Sequence, residues 1–408
     1  MEINALQLCN LVQVGTFKIC NNYVKIKRVV DLMMKKIIDF FIEIIDKLKI
    51  FFKNEKEKIV KFLKKKDVEI SLKRYGIDAL GAMAQGLFAS LLIGTIVNTI
   101  GTQFGIEIFN TVGNYAMGAS GVAMAVAIGY ALKAPPLVLF SLATVGSAAN
   151  GLGGAGGPLA VLIIAIITTE IGKLVSKETK IDIIVTPLVT IIIGVLLANY
   201  FAPAIGNLAS SIGKAIMWAT DLQPLLMGVL VSLIVGIALT LPISSAAICA
   251  ALGLVGLAGG AAVAGCCAHM IGFAVISFKE NKWGGLFAQG IGTSMLQMGN
   301  IIKNPKIAIP PIVASAITGP LATCLFKFEM NGTAISSGMG TCGLVGPIGV
   351  YTGWINDINT GIKSIITVND WLGLVLICFV LPAIISLIVA KLLRKINWIR
   401  EGDLKLDL

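Results

Sequence analysis

The sequence predicts an all-α polytopic membrane protein of about ten transmembrane helices and two re-entrant hairpins, preceded by a basic amphipathic helix. Three observations carry that prediction. Of 408 residues, 56% are hydrophobic and only 13% charged, where a soluble domain carries roughly 25% charged residues. Apolar runs of bilayer length recur along the chain. The net charge of +11 is concentrated in residues 1–74, which hold 17 Lys+Arg and 9 Asp+Glu, so the remaining 334 residues carry only +3.

The chain accordingly divides into a basic, cytoplasmic or interfacial segment over 1–74, a membrane domain over 75–400 and a cytoplasmic tail over 401–408. Within the first segment Val30, Met33, Ile37, Phe41, Ile44, Ile45, Leu48 and Phe52 recur at three- and four-residue steps, with Lys35, Lys36, Asp39, Glu43, Asp46, Lys47 and Lys49 between them. That spacing predicts an amphipathic helix lying on anionic lipid; a charged helix packed on a partner subunit has the same periodicity. No nucleic-acid-binding motif accompanies the basic residues, and an apolar stripe needs a greasy surface, so nucleic acid is not expected as a partner. The first 15 residues lack a basic n-region and a small-residue cleavage site, and no signal peptide is predicted.

Single spans are predicted near 78–100, 115–132, 183–202, 223–241, 308–326 and 371–390, given about 20 residues per crossing. The stretches 137–172 and 243–278 are each long enough for a helical pair folded at a glycine-rich turn. The segments 284–302 and 332–352 are apolar but interrupted by Gly, Thr and Asn, and read as re-entrant hairpins lining a cavity. Of the 16 basic residues after position 74, 13 fall on one side of this layout, which places both termini in the cytoplasm. Trp283, Trp354, Trp371 and Trp398 stand at the predicted edges of spans or hairpins, as interface anchors do.

Composition also excludes chemistry. His269 is the sole histidine, which rules out a multi-histidine zinc site or a histidine phosphorelay within the chain. The eight cysteines have no CxxC spacing, and the adjacent Cys266 and Cys267 read as packing residues. No cofactor is expected. Residues 151–156 match GxGxxG, but both flanks are membrane-length apolar segments rather than a strand and a phosphate-facing helix, so a turn or close helix packing is the expected role. Asn331-Gly332-Thr333 fits a glycosylation sequon that carries little weight beside an apolar hairpin. Glu170, three residues before Lys173, is expected in a salt bridge, and His269 in a hydrogen bond between helices.

Polar residues inside apolar segments mark functional positions by default. One run comprises Gln289, Thr293, Ser294, Gln297, Asn300 and Asn304; another comprises Glu329, Asn331, Thr333, Ser336, Ser337 and Thr341. Amides and hydroxyls that both donate and accept suit a neutral polyhydroxylated ligand such as a sugar. The candidate ligand-binding set is Thr293, Ser294, Gln297, Asn300, Glu329, Asn331 and Thr341. The alternative for each is a hydrogen bond that braces broken backbone, and for Glu329 an ion pair with Lys327.

From about 78 to 390 the sequence resembles the membrane-embedded IIC component of bacterial sugar phosphotransferase systems, in its fructose-like branch. The resemblance rests on Ile128-Gly129-Tyr130-Ala131, Ala134-Pro135-Pro136, Gly154-Ala155-Gly156-Gly157, Lys180 with Ile184-Val185-Thr186-Pro187-Leu188, Leu241-Pro242-Ile243-Ser244-Ser245-Ala246-Ala247 and the hairpin 292–302. A regulatory, perfringolysin-regulator-like subgroup is closer still. Its likeness runs through Gly290-Ile291-Gly292-Thr293-Ser294-Met295-Leu296-Gln297-Met298, Ile301-Ile302-Lys303-Asn304-Pro305 and Gly338-Met339-Gly340-Thr341-Cys342-Gly343-Leu344-Val345-Gly346. The resemblance implies an elevator-like homodimer in the bacterial cytoplasmic (inner) membrane that binds a sugar and presents it to a phosphorylated IIB subunit. Transporting members carry a Thr-Glu pair where this chain has Leu296-Gln297, and a Pro-His-Gly-Gly signature whose place is taken by 336–343. Gln297 can hydrogen-bond a hydroxyl but cannot take a proton, which keeps open a ligand sensor that has lost phosphorylation-coupled transport. Nothing here resembles a phosphoryl-accepting IIA or IIB site, so sugar phosphorylation would need separate subunits.

Overall fold

The computed structural model describes residues 58, 60–69 and 71–406. The chain divides into two compact units, Met1–Lys66 and Asp67–Leu408. The amphipathic pattern over 30–52 lies outside the described residues, and 60–65 of the first unit are helical. In the second unit the described residues are helical apart from turns, short extended links and an isolated bridge between Gly256 and Met330.

Helix α1 (Arg74–Phe104) is followed by α2 (Glu107–Gly118) and α3 (Ser120–Ala131), which bend by 47° at their junction. Next come α4 (Pro136–Gly153) and α5 (Gly157–Val175). They fold back on each other at Gly154, whose φ of +51° suits a residue without Cβ, and Val138 of α4 consequently lies against Gly172 near the end of α5. The GxGxxG match is thus a tight turn between packed helices, as its apolar flanks predict.

Helix α6 (Asp182–Thr220) holds Pro187 and Pro203 in its interior. Its 39 residues correspond to about 58 Å at 1.5 Å per residue, more than one crossing needs. Ile184, Leu188, Ile192, Leu196 and Tyr200 are exposed at four-residue steps along it, a stripe suited to lipid. Helix α7 (Pro224–Thr240) and the eight-residue α8 (Ser245–Leu252) lead to α9 (Gly256–Ile276), which is almost wholly buried. A Cβ on Gly265 of α9 would lie 2.0 Å from the Ser232 carbonyl oxygen of α7. Glycine is required there for the two backbones to touch.

Beyond α10 (Phe278–Phe287) the chain makes one π-type turn over Ala288–Gly292, is extended at Thr293, resumes as a 3-10 turn over Ser294–Gln297 and ends in α11 (Met298–Lys303). The interruption is buried and satisfies its own backbone: the Thr293 amide donates to the Ala288 carbonyl at 2.9 Å, and the Thr293 hydroxyl accepts from the Met295 amide at 3.2 Å. After α12 (Pro305–Leu325), a second interrupted stretch contains α13 (Ala334–Ser337) and a left-handed turn at Gly340, Gly343 and Leu344 before α14 (Val345–Asn359). Helix α15 (Val368–Lys395) opens on a capping box between Thr367 and Asp370.

Among the described residues six helical stretches are long and apolar enough to cross a membrane, with α4 and α5 together counted as one, or seven if α2 and α3 form one bent span. The expectation of ten spans plus two hairpins came from run length, and the helices divide differently. The stretch 243–278, long enough for a pair, holds only the short α8 and a single span-length helix, because Gly253 and Gly256 take positive φ between them. Apolar length reports burial, not where the backbone turns.

Three basic side chains are paired at helix ends. Arg74 at the start of α1 donates to Asp67 and to the Leu132 carbonyl after α3, both at 2.8 Å. Lys173 near the end of α5 pairs with Glu170 at 3.0 Å and donates to the same Leu132 carbonyl at 3.1 Å. Arg394 of α15 pairs with Glu280 at 3.0 Å. The Arg74 hydrogen bond holds the Asp67 carboxyl below its ordinary range, against a smaller opposing effect of burial.

Candidate functional site

The first interrupted stretch carries a row of neutral amides. Asn300 donates to Gln297 Oε1 at 2.8 Å, Gln297 donates to Gln289 Oε1 at 2.9 Å, and Gln289 donates to the Ser277 hydroxyl at 2.8 Å. All four side chains are buried. The row outlasts burial because Gln297 and Gln289 each both give and receive, while Asn300 heads it as a donor. The second amide hydrogens of Gln297 and Asn300 leave the row: Gln297 donates to the Leu404 carbonyl at 3.1 Å and Asn300 to the Lys405 carbonyl at 2.8 Å.

A second chain of hydrogen bonds starts from the same stretch. The Ser294 hydroxyl lies 2.9 Å from Thr240 Oγ1, which lies 2.8 Å from Nδ1 of His269. It ties the interruption to the ends of α7 and the middle of α9, and His269 is the helix-bridging residue its position predicts. Nε2 of His269 has no hydrogen-bond partner. Thr341, on the second interrupted stretch, is also buried and donates to the Met270 sulfur at 3.6 Å. Thr293 reaches an apolar cavity between these stretches, lined also by Ser244, Ser245, Met339 and Cys342.

Glu329 and Asn331 stand elsewhere. Met330 between them is bridged to Gly256, the first residue of α9, whereas Ser277 follows the last. Twenty-one helical residues separate these points, about 30 Å at the standard rise. Asn331 donates to Glu329 at 3.2 Å and to Asp357 at 3.0 Å, and Glu329, Asp357, Lys327, Lys363 and Asp370 line a cavity. Of the seven predicted residues, then, Thr293, Ser294, Gln297 and Asn300 share one segment, Thr341 lies against the same buried helix, and Glu329 lines a separate charged cavity with Asn331 hydrogen-bonded to its wall.

Beside the amide row an open cleft is lined by Asp78 and Gln85 of α1, Tyr130 of α3, Asn300 and Lys303 of α11, and Lys405. Asp78 is its one acidic lining residue. Sequence reasoning missed Ser277, Thr240 and Asn281, which are single polar residues in apolar or charged surroundings with no motif to mark them. It also missed the backbone of 404–406, which no side-chain pattern could flag. Among the described residues, no three His, Cys, Asp or Glu side chains gather in a way that could hold a metal.

Buried amides on interrupted helices, inside a body of apolar helices, define a multi-pass membrane protein with a polar interior site. The chain belongs to the phosphotransferase system EIIC family, whose model matches residues 77–406; it is a membrane permease component of such a system. Family membership implies, in general, a sugar substrate and a IIB partner. No curated protein and no solved structure matches the chain.

Proposed function

We propose that the protein binds a sugar or sugar-like molecule at the interrupted stretch over 288–304, translocates it, and presents it to a phosphorylated IIB subunit. The buried amide row from Asn300 to Ser277 carries this reading. Neutral donors and acceptors in a water-poor site match the hydroxyls of a polyol and offer nothing to a fatty ligand. On this reading Thr293, Ser294, Gln297, Asn300 and Thr341 form the membrane-interior site, while Glu329 and Asn331 serve the opposite mouth.

Phosphorylating a sugar hydroxyl releases a proton, and Gln297 cannot take it. That single feature favours a second reading, in which a fructose-branch, regulatory IIC-type protein senses its ligand without coupled transport. The distribution of Lys and Arg supports both termini in the cytoplasm of a bacterial cell, with the segment 1–74 on anionic lipid. We take the assembly to be a homodimer.

Equilibrium binding of a panel of hexoses, hexitols and their phosphates to the purified protein, with and without phosphorylated IIB, separates the readings. Binding with phosphorylated product establishes the permease. Binding without product, in the presence of a IIB shown to be active, establishes the sensor. Absence of binding removes carbohydrate from both.

A further inference from the structure

The C-terminal segment enters the site itself. Helix α15 ends at Lys395, and at Asn397, whose φ is +56°, the chain turns back so that the Trp398 amide donates to the Leu393 carbonyl at 2.9 Å. Ile399 and Leu404 are buried in an apolar cluster with Phe273, Ile276, Ile307 and Leu393. Asp403 accepts from Asn304 at 2.8 Å, and Lys306 stands 4.8 Å above the Trp398 ring. From that anchorage three amide side chains read the backbone beyond. Asn281 donates to the Leu404 carbonyl and accepts from the Leu406 amide, both at 2.8 Å, while Gln297 and Asn300 donate to the Leu404 and Lys405 carbonyls.

The donor count gives this contact its meaning. Gln297 and Asn300 each have two amide hydrogens, and each spends one inside the row. The remaining hydrogen of each points at the tail. A peptide carbonyl and a sugar hydroxyl present the same kind of oxygen acceptor to an amide N–H, so a polyol that accepts from these two donors must first remove the tail from them. Lys405 and Leu406 also form part of the wall of the cleft beside the row, so removal would open the row to that cleft.

We propose that residues 399–406 are a displaceable strap, an internal competitor that occupies the ligand-facing donors of Gln297 and Asn300 and holds the site closed until a polyhydroxylated ligand displaces it. The inference rests on the sugar reading of this site. A strap of this kind makes measured affinity lower than intrinsic affinity by the fraction of time the site is free.

The test uses the full chain in lipid nanodiscs and the same panel of hexoses and hexitols. Leu404→Glu puts a charge into the apolar anchorage and leaves every donor in place; a truncation after Trp398 serves as the second variant. Both are expected to bind the recognised sugar at least roughly tenfold more tightly, since two buried hydrogen bonds no longer compete. In a background with Cys9, Cys20 and Cys324 changed to Ser, maleimide labelling of Leu404→Cys is expected to accelerate severalfold when that sugar saturates the site. If the sugar binds the parent chain but neither variant binds it more tightly, or labelling is unchanged at saturation, the strap is wrong and the sugar site stands. If neither parent nor variants bind any member of the panel, the sugar reading fails and the strap fails with it.

Discussion

The amide row and the cavity around Glu329 are both polar, yet they are built on opposite principles. The row lies in the protein interior, holds no formal charge and uses Gln, Asn and Ser, with both glutamines engaged as donor and acceptor. The cavity at the other end of α9 holds Glu329, Asp357 and Asp370 beside Lys327 and Lys363, and the 2.7 Å pair of Lys363 with Asp370 remains partly exposed. Burying an unpaired charge costs far more than burying a satisfied amide. Charge is therefore kept at the end and neutral groups inside, and a glutamate introduced at position 297 would move a side chain from one principle to the other.

The comparison breaks most sharply at Gln297→Glu. A glutamate would aim an oxygen at Gln289 Oε1 and the Leu404 carbonyl, both of which now accept from Gln297. An unpaired buried carboxylate is expected to lower stability by about 3 kcal/mol near neutral pH and to restore part of it on acidification; thermal melts at several pH values measure both. Gln297→Ala should cost less, about 1–3 kcal/mol in ligand binding or stability, because it leaves neutral partners unpaired. Thr240→Val, which parts Ser294 from His269, is expected to cost about 1–2 kcal/mol in a melt, as it strands one buried acceptor or donor on each side.

At the opposite end Asn331→Ala should shift stability by less than about 1 kcal/mol, since its partners Glu329 and Asp357 remain within reach of water. An effect as large as that of Gln297→Ala would mean that the charged cavity is part of the interior site after all. The smallest effect belongs to Asp67. Its carboxyl is held below the ordinary range by Arg74, so its contribution is full above the unfolded value of about 4 and is lost as pH falls through the lower folded value. Asp67→Asn should flatten stability below about pH 4 while leaving it nearly flat at pH 7.

Much of the candidate site was legible in the sequence because a bilayer penalises polar side chains that have no partner. Gln289, Thr293, Ser294, Gln297 and Asn300 stood out as amides and hydroxyls in an apolar run, and the glycines around them marked broken backbone. Ser277 and Thr240 were not legible, since each is a lone hydroxyl whose partners lie 12 and 29 residues away in the chain. Glu329 and Asn331 were grouped with the interior residues because they too are polar near glycine-rich segments. Sequence spacing does not record that a 21-residue helix separates the two clusters.

The sequence alone determined that the chain lives in a membrane and that most of its net charge falls in residues 1–74. Hydropathy and charge act locally, so they survive in a linear string. Only the tertiary structure decided how the long apolar stretches divide into helices and which polar groups meet. The return of 399–406 onto Gln297 and Asn300 is of the same kind. It spans about 105 residues of sequence and engages backbone carbonyls that every residue possesses, so no side-chain pattern could have announced it.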